Sequence, residues 1–126
     1  MDKVTRLLAD SRYLLLTTFR RNGRPVATPV WVVGDGSSLA VWTDAASGKV
    51  KRIRRDGAVE LAPCDALGRP FGDPVRGRAR VLDASELDRV QQLLKRKYGL
   101  QGRAYLAASR LRRSAPEMVP VSITVG

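Results

Sequence analysis

Short apolar runs broken by turn residues set the rhythm of the first half of the chain. Tyr13-Leu14-Leu15-Leu16-Thr17-Thr18-Phe19 is a run of β-formers that ends at Arg20-Arg21-Asn22-Gly23. Asn-Gly between two β runs predicts a hairpin whose two central residues both take positive φ. The return strand then runs from Arg24 to Val33. Asp35-Gly36 makes a second turn and Leu39 to Thr43 a third strand, so this half reads as an antiparallel meander.

Helical spacing appears at three other places. Asp2 to Ala9 places Val4, Leu7 and Leu8 on one side of a short helix. Ser47 can cap a helix from Gly48 to Arg55, with Val50 and Ile53 as its apolar side and Asp56-Gly57 closing it. Ser85-Glu86-Leu87-Asp88 opens the longest helix, with Leu87, Val90 and Leu94 facing inward, cations Lys95, Arg96 and Lys97 near its end, and Gly99 stopping it. A further helix is expected from Arg103 to Arg113, before Pro116. Between these lie strands at Ala58 to Cys64 and Val75 to Leu82, joined by a loop marked by Gly68, Pro70, Gly72 and Pro74. Met118 to Val125 closes the chain with Val119, Val121, Ile123 and Val125 on one face. Six or seven strands with inserted helices predict an α+β fold, mainly β, built as a small antiparallel barrel and not as a doubly wound parallel sheet.

The 126 residues suit one domain spanning residues 1–126. A core that small gains from pairing with a second copy. No run approaches the ~18–20 apolar residues of a membrane span, and the opening residues lack the pattern of a signal peptide. A single cysteine, Cys64, forms no intrachain disulfide and is read as an apolar filler. These features together predict a cytoplasmic protein.

Charge changes the picture more. Twenty-three Lys and Arg oppose 12 Asp and Glu, a net charge of +11, and there is no histidine. Such a field draws anions: nucleic acid, a membrane surface or an acidic small molecule. A Ser-His-Asp triad, histidine acid–base chemistry and histidine or multi-thiolate metal sites are excluded. No residue stands out as a catalytic acid or base, and no metal is expected.

The segment from Trp42-Thr43 to Ser47-Gly48-Lys49-Val50-Lys51 carries the most chemistry. A strand ends in threonine, and serine then caps a helix whose first turns hold lysines. Free N–H groups and the dipole at such a helix start attract anions, hydroxyls can donate to phosphate oxygens, and lysines neutralise them. An ordinary capped surface helix is the competing reading. Lys49, Lys51, Arg52, Arg54 and Arg55 crowd onto about two turns, a self-repelling cluster that an anion would relieve. Arg76, Arg78 and Arg80 share one face of a strand, either its solvent side or a second anion track. Gly77 between them marks a bulge or a close approach, for example by a ring system. Pro29 within Thr28-Pro29-Val30-Trp31 implies an edge strand, a bulge or a strand facing a ligand. Trp31 and Trp42 read first as core or dimer-interface residues.

Leu16-Thr17-Thr18-Phe19-Arg20-Arg21-Asn22-Gly23-Arg24-Pro25-Val26-Ala27-Thr28-Pro29-Val30-Trp31-Val32 resembles the opening of the pyridoxamine 5′-phosphate oxidase-like split-barrel proteins. More narrowly, it is similar to the actinobacterial flavin/deazaflavin oxidoreductases that bind coenzyme F420. Trp42-Thr43, Ser47 and Lys49 fall where that family holds the cofactor phosphate. The likeness continues through Lys51-Arg52-Ile53-Arg54-Arg55-Asp56, Gly77-Arg78-Ala79-Arg80-Val81 and Arg96-Lys97-Tyr98-Gly99-Leu100. It implies an antiparallel split β-barrel of the FMN-binding kind, a homodimer with cofactor near the subunit interface, and F420-dependent hydride transfer to a small organic substrate. The cofactor-binding set it implies is Thr28, Pro29, Val30, Trp42, Thr43, Ser47, Gly48, Lys49, Lys51, Arg54, Arg55 and Arg78. Three departures stand out. The arginine that the oxidases use on the strand before the third has no clear match near Thr28. Gly48 follows the serine where the oxidases have arginine, and their histidine-containing substrate motifs are absent, which argues against pyridoxamine phosphate oxidase activity. F420, with a phosphodiester and an acidic γ-glutamate tail, suits a protein at +11. Flavin mononucleotide (FMN), or a carrier role without turnover, is the alternative. A basic nucleic-acid-binding protein is the reading from another class, supported by charge alone.

Overall fold

A computed structural model describes the backbone of residues 1–111 and 117–126, and the side chains of 1–99 and 117–126. Seven strands and three helices follow the pattern above: α1 (Lys3–Asp10), β1 (Tyr13–Phe19), β2 (Pro25–Val30), β3 (Val33–Asp35), β4 (Ser38–Asp44), α2 (Gly48–Arg55), β5 (Ala58–Cys64), β6 (Val75–Val81), α3 (Leu87–Leu111) and β7 (Met118–Val125). One antiparallel sheet holds all seven strands in the order β2-β1-β5-β6-β7-β4-β3.

That order corrects the meander. β2 and β3 are consecutive in the chain but occupy opposite edges of the sheet. Val30 ends one and Val33 begins the other, so three Cα steps, about 11 Å at most, join the edges. A seven-stranded sheet meets that limit only by curling until its edges approach, which makes the fold a split barrel. Its interior is filled by alternate residues such as Leu14, Leu16, Leu39, Val41, Val59, Leu61, Val121 and Ile123.

The return strand stops at Val30 and not at Val33 because Val32 is bonded elsewhere. Its N–H donates to the Tyr98 hydroxyl (3.0 Å), and its carbonyl accepts from Lys97 Nζ (2.7 Å). Lys97 Nζ also donates to the carbonyls of Ala9 (2.6 Å) and Ser11, and the Tyr98 hydroxyl to that of Arg12 (2.8 Å). Trp31 stacks on the Tyr98 ring, centroids 4.4 Å apart. Two neighbouring residues of α3 thus clamp the crossing between the sheet edges to the end of α1. Burial pushes the Lys97 ammonium down to about 8, and three carbonyls supply the acceptors it loses in leaving water.

Three further corrections are local. The hairpin after β1 has positive φ at Gly23 (84°) but not at Asn22. Gly23 N–H donates to the Arg20 carbonyl, and Arg20 N–H to that of Arg24, giving a three-residue loop with a left-handed glycine in place of the two-residue turn. In α1, Thr5, Leu8 and Ala9 face the sheet, while Val4 and Leu7 point outward. The longest helix starts from Asp83, whose carboxylate accepts from Ser85 N–H (2.9 Å) and sets up a turn at Ala84–Glu86. Gly99 (φ 56°) interrupts α3 as expected, and a second helical stretch runs on to Leu111. The expected end at Arg113, before Pro116, lies outside the described residues.

Val90, Leu94 and Tyr98 of α3 cover Val33, Ala40 and Trp42 on the outer face of β3 and β4. Cys64 is buried as a filler. The tight spot at Gly77 is set by the barrel itself. A Cβ there would lie 2.8 Å from both Leu61 Cδ1 and the Thr124 carbonyl oxygen, so the close approach comes from the core and β7 and not from a ring. Among the described residues, no helix is long and apolar enough to cross a membrane.

Candidate functional site

Strand β4 delivers Thr43 to the barrel rim, and a tight turn follows. Asp44 organises it by accepting from Ala46 N–H through its carboxylate (2.8 Å) and from Ser47 N–H through its carbonyl (2.9 Å). Ser47 caps α2, its Oγ accepting from Val50 N–H (3.4 Å), which leaves its own O–H to donate. The N–H groups of Gly48 and Lys49 meet no acceptor among the described residues, and neither does the Thr43 hydroxyl. The first turn of α2 has no acidic side chain. Val50 and Ile53 anchor the helix in the core, so this start is held rigidly.

Arg52 completes the arrangement, and the sequence reading did not single it out. It lies about one turn along α2 and folds back over Gly48. A Cβ at Gly48 would sit 2.6 Å from Arg52 Nη1. Arg52 Nε donates to Thr18 Oγ1 (2.7 Å), a hydroxyl buried on β1, while the two terminal nitrogens find no acceptor among the described residues. The bare Cα of Gly48 is therefore what admits the guanidinium to the helix start. Lys49 is half-buried beside it. Burial, then the Arg52 charge, holds its ammonium below the usual lysine range, with Asp44 opposing. The start of α2 thus carries the Ser47 hydroxyl, two free backbone N–H groups, the Arg52 guanidinium fork and the Lys49 ammonium, with Thr43 near the end of the preceding strand and Asp44 the acid that acts on Lys49. Donors of these kinds can hold an oxyanion such as phosphate.

The other expected site residues divide. Lys51, Arg54 and Arg55 are exposed on α2, and Arg55 Nη2 donates to the Phe19 carbonyl. Trp42 is 8% exposed beneath α3, so its ring packs that helix. Thr28, Pro29 and Val30 lie on β2, an edge strand as Pro29 implied. Thr28 and Val30 share the face of Leu16 and Leu14 and point into the barrel, whereas Pro29 faces outward with Leu15, against Gly68. Thr28 Oγ1 is buried without a partner. The link from this strand to α2 runs through β1: Val26 stands opposite Thr18, the residue that Arg52 grips. Arg78 lies apart on β6, 4.0 Å from the Asp56 carboxylate.

Comparison with known proteins identifies the family and the fold. A family model described as pyridoxamine 5′-phosphate oxidase matches residues 1–123. No curated protein sequence matches the chain. Among solved structures, a conserved hypothetical protein of Mycobacterium tuberculosis has a TM-score of 0.71 at 21% identity, covering 99% of this chain and 81% of its own. An F420 reductase has a TM-score of 0.62 at 18% identity, covering 100% and 96%. A heme storage protein of Vibrio cholerae has a TM-score of 0.68 at 11% identity, covering 98% and 88%. At these identities the likeness is one of fold.

Proposed function

The chain belongs to the pyridoxamine 5′-phosphate oxidase family, and from that premise we propose that it is an F420-binding oxidoreductase that works as a homodimer. The observation that carries this reading is the Arg52 fork seated over Gly48 at the free N–H groups of α2, with the half-buried Lys49 close enough to feel its charge. Thr43, Ser47, Gly48, Lys49 and Arg52 hold the phosphodiester. Thr28, Pro29 and Val30 border the ring end, and Lys51, Arg54 and Arg55, with Arg78 beyond them, meet the acidic tail. Bound F420 supplies the hydride chemistry. The chain's own residues neutralise the phosphate, orient the ring and exclude water. They offer no strong acid or base at the site, which a hydride transfer does not require.

FMN presents the same phosphate to the same donors, so selectivity rests on the tail. Exposed ion pairs are each worth only ~0.2–1 kcal/mol and are screened over ~8 Å at physiological ionic strength. F420 is therefore expected to bind more tightly than FMN at low salt, by a margin that shrinks as salt rises and in Arg54→Ala/Arg55→Ala. Fluorescence titration of both ligands at two salt concentrations measures it. Equal affinity at low salt would replace F420 by FMN.

The small core and two exposed apolar side chains, Leu67 at 77% and Phe71 at 72% exposed, support the dimer. Light scattering of the cofactor-loaded protein at micromolar concentration is expected to give the mass of two chains. A single-chain mass rejects the dimer.

A further inference from the structure

The outer face of β6 and β7 carries a second set of donors, away from the start of α2. Arg76, Arg78 and Arg80 alternate outward along β6 with Gly77 and Ala79 turned inward. Their surroundings differ. Arg76 stands opposite Glu60 of β5, an acid on the neighbouring strand. Arg78 and Arg80 stand opposite Thr124 and Ser122 of β7. The acid nearest this pair is Asp56, 4.0 Å from Arg78. Arg54 reaches the same space from α2, and Ser38 borders it from β4. Together they line an open cavity of about 770 Å³.

Strand geometry turns these residues into an ordered array. Cross-strand neighbours have Cβ atoms ~4.5–5.5 Å apart, so each arginine stands beside one hydroxyl. The two pairs, Arg78 with Thr124 and Arg80 with Ser122, repeat at about 7 Å, the two-residue step of a strand. Among the described residues, the side chains of Arg54, Arg80, Ser38, Ser122 and Thr124 make no hydrogen bond or ion pair. Asp83 also lines the cavity, and the Ser85 N–H bond holds its carboxylate ionised, so the anion site lies toward the arginines and away from it. The lining has no aromatic side chain on which a nucleobase could stack.

We propose that this groove is a second anion-binding site, which takes an oligoanion bearing phosphate or carboxylate groups about 7 Å apart, each gripped by one arginine and one hydroxyl. Guanidinium forks suit planar or tetrahedral oxyanions with two oxygens in reach. The volume suits a small molecule or the tail of one. The site does not depend on F420 being the cofactor. Its ligand is supplied either as the acidic tail of a bound cofactor or as a separate molecule.

Isothermal titration with inorganic tripolyphosphate, and with tri-γ-glutamate, tests it. Binding is expected to weaken about tenfold or more in Arg78→Ala/Arg80→Ala, the loss expected of charge-assisted bonds. A substantial part of the loss is expected in Arg78→Lys/Arg80→Lys, which keeps the charge and removes the fork. The titrations are run with FMN already present to fill the start of α2, so failure of the α2 phosphate site and failure of the groove are read separately. Displacement of tripolyphosphate by F420 but not by FMN supports the groove with the cofactor's tail as its ligand. Retention alongside both supports it with a separate oligoanion. Binding unchanged in the double alanine variant overturns the site. Tighter binding of an oligonucleotide, with affinity falling steeply and linearly against salt on logarithmic axes, overturns the small-oligoanion class in favour of nucleic acid.

Discussion

Arg52→Ala weakens the binding of F420 and FMN alike, by roughly 1.5–3 kcal/mol each, the worth of a charge-assisted hydrogen bond. The effect is common to both ligands because the contact is to the phosphate. Lys49→Ala is expected to cost about as much, and Thr43→Val or Ser47→Ala about 1 kcal/mol each, as neutral donors. The two cations share one ligand group, so the double variant departs from additivity. Gly48→Ala separates position from chemistry. It removes no donor, yet its Cβ would occupy the space of Arg52 Nη1 and push the fork aside. Affinity is expected to fall with little change in stability, since the displaced group is the far end of a flexible side chain. Fluorescence titration measures all of these. Unchanged affinity in both Arg52→Ala and Lys49→Ala would place the phosphate elsewhere.

The largest loss of stability is expected at the clamp between α3 and the sheet edges. Lys97→Met removes hydrogen bonds from a charged donor to the carbonyls of Ala9, Ser11 and Val32, where such bonds are worth about 1.5–3 kcal/mol. Tyr98→Phe leaves Val32 N–H buried without its acceptor, at a cost of about 1–3 kcal/mol. Both residues serve Val32, so their effects couple, and the double variant is expected to lose more than either single one. Against a typical total of about 5–15 kcal/mol, this is a large fraction. Urea unfolding provides the measurement. If both single variants stay within about 0.5 kcal/mol of the parent, the usual spread of neutral surface changes, the crossing is held by something else.

The candidate site was legible where its signals are local. A threonine ending a strand, a serine cap and lysines in the next turns lie within a few residues of one another, and α2 has the boundaries that Ser47 and Asp56-Gly57 imply. Arg52 was hidden in a run of five cations. Its distinguishing partner is Thr18, 34 residues away, and no periodicity connects the two. Gly48 read as a departure from the family pattern. In the fold it is the gap that the Arg52 fork fills, so the departure and its compensation lie on one helix turn. Thr28, Pro29 and Val30 form one run in the sequence, but alternation along β2 sends their side chains to two faces.

Local sequence determined the elements of this protein. Alternation set β5, β6 and β7, Ser47 set the start of α2, and Gly99 set the break in α3, because each depends on residues that touch within a turn or a hairpin. Tertiary structure alone decided the strand order, the shortening of β2 and the position of the Arg52 fork. Val32 could extend a strand or bond to α3, and its own side chain favours the strand. The choice falls to Tyr98 and Lys97, 66 and 65 residues away, once the curled sheet brings its two edges within reach of one helix.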